Sequence, residues 1–211
     1  EWVKEGALVH KGETIAIIHG SAKVLLSGER IALNLLQRLS GIATLTARFV
    51  ECIKPLKTSL LDTRKTIPGW RYLEKYAVGV GGGVNHRMGL YDQVLIKDNH
   101  LDIIKNKLFY DVPSHVSIIE KAVSVVRQKI KKGVLIEVET RTLGEVTDAL
   151  KAGVDIILFD NMDIQQLQDA VMLAKGSEGR FGRRLGIPSD RARLRAHYST
   201  SGTVSIAAIL V

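Results

Sequence analysis

The chain has 211 residues, 45% of them hydrophobic and 25% charged, a globular composition that excludes an intrinsically disordered polypeptide. Thirty Lys and Arg stand against 22 Asp and Glu, a net charge of +8 that suits an anionic partner: nucleic acid, a membrane surface or a polyanionic small molecule. Aromatics are only 5% and do not interleave with arginine, no run of ~18 apolar residues is present, and Cys52 is the single cysteine. These facts argue against a base-stacking surface, a membrane-spanning helix, and an internal disulfide or Cys-based zinc site.

In chain order, "TIAIIHG" (14–20) and "KVLL" (23–26) read as short strands around a Gly turn. Residues 29–53 repeat apolar positions at helical spacing and predict a long helix, weakened near Gly41. Cys52 falls on it as a small core residue. "SLLDT" (59–63) is a strand, and "GWRYLEKYAV" (69–78) a helix that stops at glycines 81–83. "DQVLIKD" (92–98) is a strand. Residues 114–133 predict a helix with Ser114 as N-cap, basic residues in its last turn and Gly133 at its end. "VLIEVET" (134–140) and "VDIILFDN" (154–161) are strands. Helices follow each, over 142–153 and over 163–176 with Asp163 as N-cap. Strands alternating with helices predict an α/β fold with a parallel sheet. Units of about 20–40 residues fit either a (β/α) barrel or a doubly wound sheet.

In both arrangements the chemistry belongs at the C-terminal ends of the strands. Polar residues cluster there: Asp62, Thr63, Arg64 and Lys65 after "LL", Lys97, Asp98 and Asn99 after "VLI", and Asp160 and Asn161 after "IILF". Glu137 and Glu139 share one face of their strand. Two carboxylates there are either partners for neighbouring cations or contacts to hydroxyls or a divalent cation. The glycines of "GVGGGVNHR" form neither a P-loop nor a dinucleotide fingerprint. They read as a helix C-cap and turn that aims His86 and Arg87. Clustered cations repel unless an anion sits among them, and carboxylates or phosphates suit these residue types.

"GERIALNLLQRLSGIAT", "LDTRKTIPGWRYLEKYAVGVGGGVNHRMGLYDQVLIKDNH", "IEVET" and "ILFDN" resemble the quinolinate phosphoribosyltransferase family (nicotinate-nucleotide pyrophosphorylases), densely from about residue 20 to about 175. The resemblance implies an incomplete (β/α) barrel preceded by part of an α/β sandwich domain. Residues 1–31 would be the C-terminal part of the sandwich domain, and 32–211 the barrel, with a divergent end from about 176. It implies a cytoplasmic enzyme that joins quinolinate to phosphoribosyl pyrophosphate, releasing pyrophosphate and carbon dioxide and making nicotinate mononucleotide for NAD synthesis. Mg²⁺ as cofactor and a homodimer or larger homo-oligomer with shared sites are also implied, with no nucleic-acid or membrane partner.

By motif, Arg30 would reach the partner subunit's site. Arg64, His86, Arg87 and Lys97 would cradle quinolinate. Thr63 belongs to the same binding segment, and Lys65 would reach the phosphates as a catalytic residue. Glu139 and Asp160 would be the catalytic carboxylates on the ribose and metal side. Two departures stand out. The chain does not begin with Met, and about 75 residues of the family's first domain are expected before it. After "ILFDNM" the family's phosphate-binding Ser-Gly-Gly turn is replaced by "LGI" (185–187), 180–195 is Arg-rich, and "VSIAAIL" (204–210) echoes the family's last strand. Phosphate contacts would fall at 186–188 and 207–209. The rival readings are a related phosphoribosyltransferase-like protein of molybdenum-transport operons and a non-catalytic binding or assembly homologue. The intact "TRK", "NHR" and "IKDNH" set favours an anionic acceptor over a neutral one.

Overall fold

A computed structural model describes residues 2–56, 58–108, 116–185, 193–199 and 205–210. The chain divides into two compact units, Glu1–His86 and Arg87–Val211.

The first unit holds helix α1 (Ala22–Ile53), strand β1 (Thr58–Leu61) and helix α2 (Arg71–Val80). Two of the strands predicted from the sequence are absent. "KVLL" is the first turn of α1, which starts after an extended Ser21 and runs unbroken past Gly41. Three apolar residues in a row carry no period that separates strand from helix. Here they join the helical register, and Ser27 Oγ donates back to the Lys23 carbonyl at 2.7 Å. "TIAIIHG" makes only an isolated bridge, Trp2 to Ala16, because no longer partner strand lies beside it among the described residues. Arg30 therefore lies well inside α1 rather than at its start. Cys52 is exposed on α1 rather than in a core.

The glycine run has two uses. Gly81 caps α2 through its amide to the Ala77 carbonyl at 3.1 Å, and Gly82 takes φ 85°, a backbone region that favours glycine. Gly81 also lets α2 approach α1. A Cβ there would stand 2.4 Å from the Ala43 carbonyl oxygen and 2.6 Å from Thr46 Cβ. Gly81→Ala should therefore cost about 1–3 kcal/mol through overpacking. Gly79→Ala, with no atom within 4 Å of the added Cβ, should instead be neutral or stabilise by about 0.5–1 kcal/mol. Thermal unfolding of the two variants checks the contrast, and an equal response from both would refute it.

The second unit is built of strand–helix repeats: β2 (Val94–Ile96), α3 (Asp98–Leu108), α4 (Ile118–Lys129), β3 (Ile136–Thr140), α5 (Leu143–Ala152), β4 (Ile156–Asp160), α6 (Ile164–Leu185), β5 (Arg193–Ser199) and β6 (Ser205–Leu210). The sheet order within it is β6-β5-β4-β3-β2. Strands β2 to β5 are parallel, and β6 is antiparallel to β5. This is the expected α/β class, with a parallel sheet of incomplete-barrel type. Buried Ile136, Val138, Ile157 and Phe159 of the sheet pack with Val123 of α4 and Val146 of α5. Continuous apolar strands follow from helices covering the sheet.

Local signals account for the helix starts. Asp163 caps α6, its carboxylate accepting the Gln166 amide at 2.8 Å. Helix α4 begins later than expected. Its cap is Ser117, whose Oγ accepts the Glu120 amide at 3.1 Å while the Glu120 carboxylate accepts the Ser117 amide at 2.8 Å, a reciprocal capping box. Ser114 lies outside the described residues. Arg127 and Lys129 occupy the last turn of α4 as expected. The helix ends before Gly133, which takes φ 93° in the loop beyond. Helix α3, unpredicted, follows β2 directly, and the backbone of α6 stays helical well past 176.

Candidate active site

In the first unit, Asp62 follows β1 and is the centre of a buried network. Its carboxylate pairs with the Lys75 ammonium from α2, and these side chains are only 6% and 1% exposed. The same Oδ1 accepts the His86 amide at 2.7 Å. In the orientation its hydrogen bonds require, the Asn85 amide nitrogen donates to Asp62 Oδ2 at 2.7 Å and to the Lys75 carbonyl at 2.8 Å. Burial pushes the Asp62 carboxyl above its ordinary range, while Lys75 and the His86 amide pull it back. The Leu61–Val84 bridge sets the two segments side by side.

The loop after Asp62 is tied down by its own atoms and by α2. Thr63 Oγ1 accepts the Lys65 amide at 3.1 Å. Arg71 donates to Thr66 Oγ1 at 3.2 Å and to the Arg64 carbonyl at 3.4 Å. Glu74, held by Arg38, accepts the Ile67 amide at 3.3 Å. Arg71, Glu74 and Lys75 share one face of α2 by their i, i+3, i+4 spacing, and that face fixes the loop. Lys65 is exposed, and Arg64 is half-buried. Arg64 Nε is buried with no hydrogen-bond partner among the described residues. A buried guanidinium donor left open on a loop held in place by its neighbours invites an acceptor. The structure thus brings Thr63, Arg64, Lys65 and the His86 backbone together around Asp62. Arg30 stands exposed on α1.

In the second unit, Arg87 donates to the Gln93 carbonyl at 3.1 Å. The turn after Arg87 closes on Asp92, which accepts the Met88 and Gly89 amides at 2.6 and 3.1 Å. Burial alone would raise the Asp92 carboxyl, but these amides outweigh it and hold the group below its ordinary range. The two glutamates of β3 divide. Glu137 is buried and accepts the Gln93 side-chain amide at 2.7 Å. Glu139 lies 3.6 Å from Lys97, at the end of β2. Burial pushes the Glu139 carboxyl up, Lys97 pulls it back, and the charges of Asp160 and Asp98 push it up again. Asp160 ends β4, and Asn161 donates to its carboxylate at 2.8 Å. Asn161 holds φ 52°, a left-handed conformation that non-glycine residues rarely adopt and that is often found at functional sites. Arg141 pairs with Asp98 at 3.2 Å. Lys97, Glu139 and Asp160 thus stand at neighbouring strand ends of one sheet.

Lys75, Gln93 and Arg141 were not singled out in the sequence. The charged i, i+3, i+4 face of α2 was the only available signal for Lys75. Residues 186–188 lie outside the described residues, and 207–209 are placed only as part of strand β6.

Each unit thus carries Arg, Lys or His at strand ends, beside carboxylates that are already paired. Cations in such places are suited to anionic groups such as carboxylates and phosphates. The chain belongs to the quinolinate phosphoribosyl transferase family: the profile of that family's C-terminal domain matches residues 42–205, and that of its N-terminal domain matches residues 1–40. It is 51% identical over 158 residues to a probable nicotinate-nucleotide pyrophosphorylase [carboxylating] of Bacillus subtilis, covering 75% of this chain and 50% of that protein. A Synechocystis protein of the same description is 43% identical over 171 residues, covering 81% of this chain and 54% of the relative. NadC from Streptococcus pyogenes superposes with a TM-score of 0.75 at 36% identity, over 95% of this chain and 60% of that one. The chain spans about half the length of the curated relatives it matches.

Proposed function

We propose that the chain carries the barrel portion of a quinolinate phosphoribosyltransferase, which joins quinolinate to phosphoribosyl pyrophosphate to give nicotinate mononucleotide, pyrophosphate and carbon dioxide. Family membership supports the reading. The observation that carries it is the open, buried Arg64 Nε on a loop that Arg71 and Glu74 hold in place. A dicarboxylate acceptor supplies what that guanidinium lacks. Arg64, His86, Arg87 and Lys97 bind the carboxylates, Thr63 belongs to the same segment, and exposed Lys65 meets the phosphates. Glu139 and Asp160 face the ribose, where departure of pyrophosphate leaves positive charge for carboxylates to stabilise. The ring carboxylate needs only to be held by cations and then released as carbon dioxide, so the residues work by positioning and electrostatics.

Mg²⁺ fits this site in part. Among the described residues no group of three or more Asp, Glu, His or Cys could hold a metal. Glu139 and Asp160 alone suit an ion that binds one or two carboxylates and takes its remaining oxygens from substrate phosphates. Such an ion would offset charge on the leaving pyrophosphate.

The test is calorimetry on the full-length protein, with quinolinate and then with phosphoribosyl pyrophosphate. Quinolinate should bind, and Arg64→Lys should weaken it about 10–100-fold, because a point charge cannot replace a bidentate fork. Absence of quinolinate binding overturns the function, and unchanged affinity in Arg64→Lys removes Arg64 from the cradle.

We also propose a homodimer in which Arg30 serves the partner's site. Exposed Ile31, Leu36, Leu45 and Phe49, spread along α1, support it as apolar surface on the helix that carries Arg30. Mixing Arg30→Ala with Arg87→Ala subunits should restore about a quarter of wild-type activity from random pairing. No recovery after confirmed exchange places Arg30 elsewhere.

A further inference from the structure

We propose that the buried Asp62–Lys75 pair, together with Asn85, is a positioning device that holds the His86 segment in register with the 63–65 cation loop. The inference rests on the function proposed above only where quinolinate is used to read it.

A buried ion pair is poor evidence for stability by itself. Apolar residues of the same volume often serve as well, because desolvating two charges costs about what their attraction returns. What an apolar pair could not do is accept hydrogen bonds. Asp62 accepts from three directions. Lys75 and the His86 amide share Oδ1, and the Asn85 amide takes Oδ2. Asn85 returns to the helix through the Lys75 carbonyl. One carboxylate, adjacent in sequence to Thr63, Arg64 and Lys65, therefore fixes the backbone of the residue that carries the His86 ring. Lys75 makes the arrangement tolerable by neutralising the charge from the buried face of α2. The same face holds the far end of the loop through Arg71 and Glu74. None of Asp62, Lys75 and Asn85 needs to touch a ligand. Their effect is the relative placement of cations on two segments more than twenty residues apart in sequence.

Asn85 is the cleanest point of attack, because it is exposed and its loss leaves the ion pair in place. Asn85→Ala in the full-length protein leaves the Asp62 Oδ2 and the Lys75 carbonyl without this donor and should lower the thermal midpoint modestly while the fold is kept. The amide and ring signals of His86, assigned by comparison with a His86→Asn spectrum, should nonetheless broaden or split without ligand. Quinolinate affinity should fall about 5–20-fold, since small misplacement of binding groups carries a large cost. The double variant Asp62→Asn with Lys75→Met separates placement from folding. It removes both buried charges and should melt close to wild type. Its new amide offers one acceptor oxygen where the carboxylate offered two, so the His86 signals and the affinity should stay impaired. Unaltered His86 signals together with wild-type affinity in Asn85→Ala overturn the proposal, and so does full recovery of both in a stable double variant. If the double variant does not fold, Asn85→Ala decides alone. If the wild-type protein binds no quinolinate, the proposed function fails while the His86 spectra still decide whether these residues position the segment.

Discussion

Lys75→Met should destabilise the protein by about 3–5 kcal/mol at neutral pH, the cost of stranding one member of a buried ion pair, and by much less in acid. Methionine keeps most of the lysine's volume, so the loss is electrostatic. The Asp62 carboxyl already sits above its ordinary range through burial, and Lys75 is the main influence pulling it back. Without Lys75 it rises further. A carboxyl whose folded-state pKa lies above its unfolded value contributes stability that is fully present below the unfolded value. That contribution is lost as the pH rises through the folded one. The gap in thermal midpoint between Lys75→Met and wild type should therefore be widest near neutrality and narrow as the pH falls through the raised range in which the variant's Asp62 takes up a proton. A gap of constant size from neutral to acid pH would show that Lys75 acts by packing alone.

Glu139→Gln should lower kcat/KM by about 10²–10³-fold, the range seen when one preorganised electrostatic contact to the transition state is removed. Quinolinate affinity should hardly move, because stabilisation realised in the transition state registers in rate rather than in ground-state binding. Asp160→Asn should behave in the same way. Lys97→Ala should do the reverse in binding, weakening quinolinate by about 2–4 kcal/mol. It also leaves the buried Glu139 carboxylate without its nearest cation. Glu137→Gln, two residues earlier on the same strand, should register first in the thermal midpoint, since Glu137 is buried under Gln93. Steady-state kinetics beside calorimetry separates these outcomes. Parallel losses of affinity and turnover in Glu139→Gln would place that residue in the quinolinate pocket instead.

The strands of the second unit were legible because buried parallel strands are short continuous apolar runs. "VLIEVET" and "VDIILFDN" allow little else. Their ends were legible too, since polar residues directly after such runs, such as Lys97 and Asp160, fall where a parallel sheet opens. Asp163 could be recognised from its own chemistry as a cap. The misses have equally local causes. Ser114 and Ser117 both precede the helical pattern, and only Ser117 has a glutamate three residues on, the reciprocal half of a capping box. "KVLL" has no period. The polar "DNHLDIIKNKL" hides α3, whose apolar stripe is short and rests on buried Leu101 and half-buried Ile104. Lys75 was opaque for a different reason. An isolated lysine in an amphipathic helix is ordinarily solvated, and only Asp62, thirteen positions earlier, makes its burial tolerable.

The hydrogen bond between Gln93 and Glu137 separates two tasks that share one face of β3. The inner carboxylate is satisfied by a neighbour in its own sheet, so the scaffold can fold without waiting for a ligand to neutralise it. On the proposed function, acceptor choice is left to Lys97 and rate to Glu139, the outer rung, both at strand ends. Those positions lie at the rim, and exchanging them leaves the interior hydrogen bonds intact. An engineer wishing to retune this protein for a differently charged acceptor should graft at the outer rung and leave the Gln93–Glu137 rung untouched, because a change there risks the scaffold before it alters the choice of substrate.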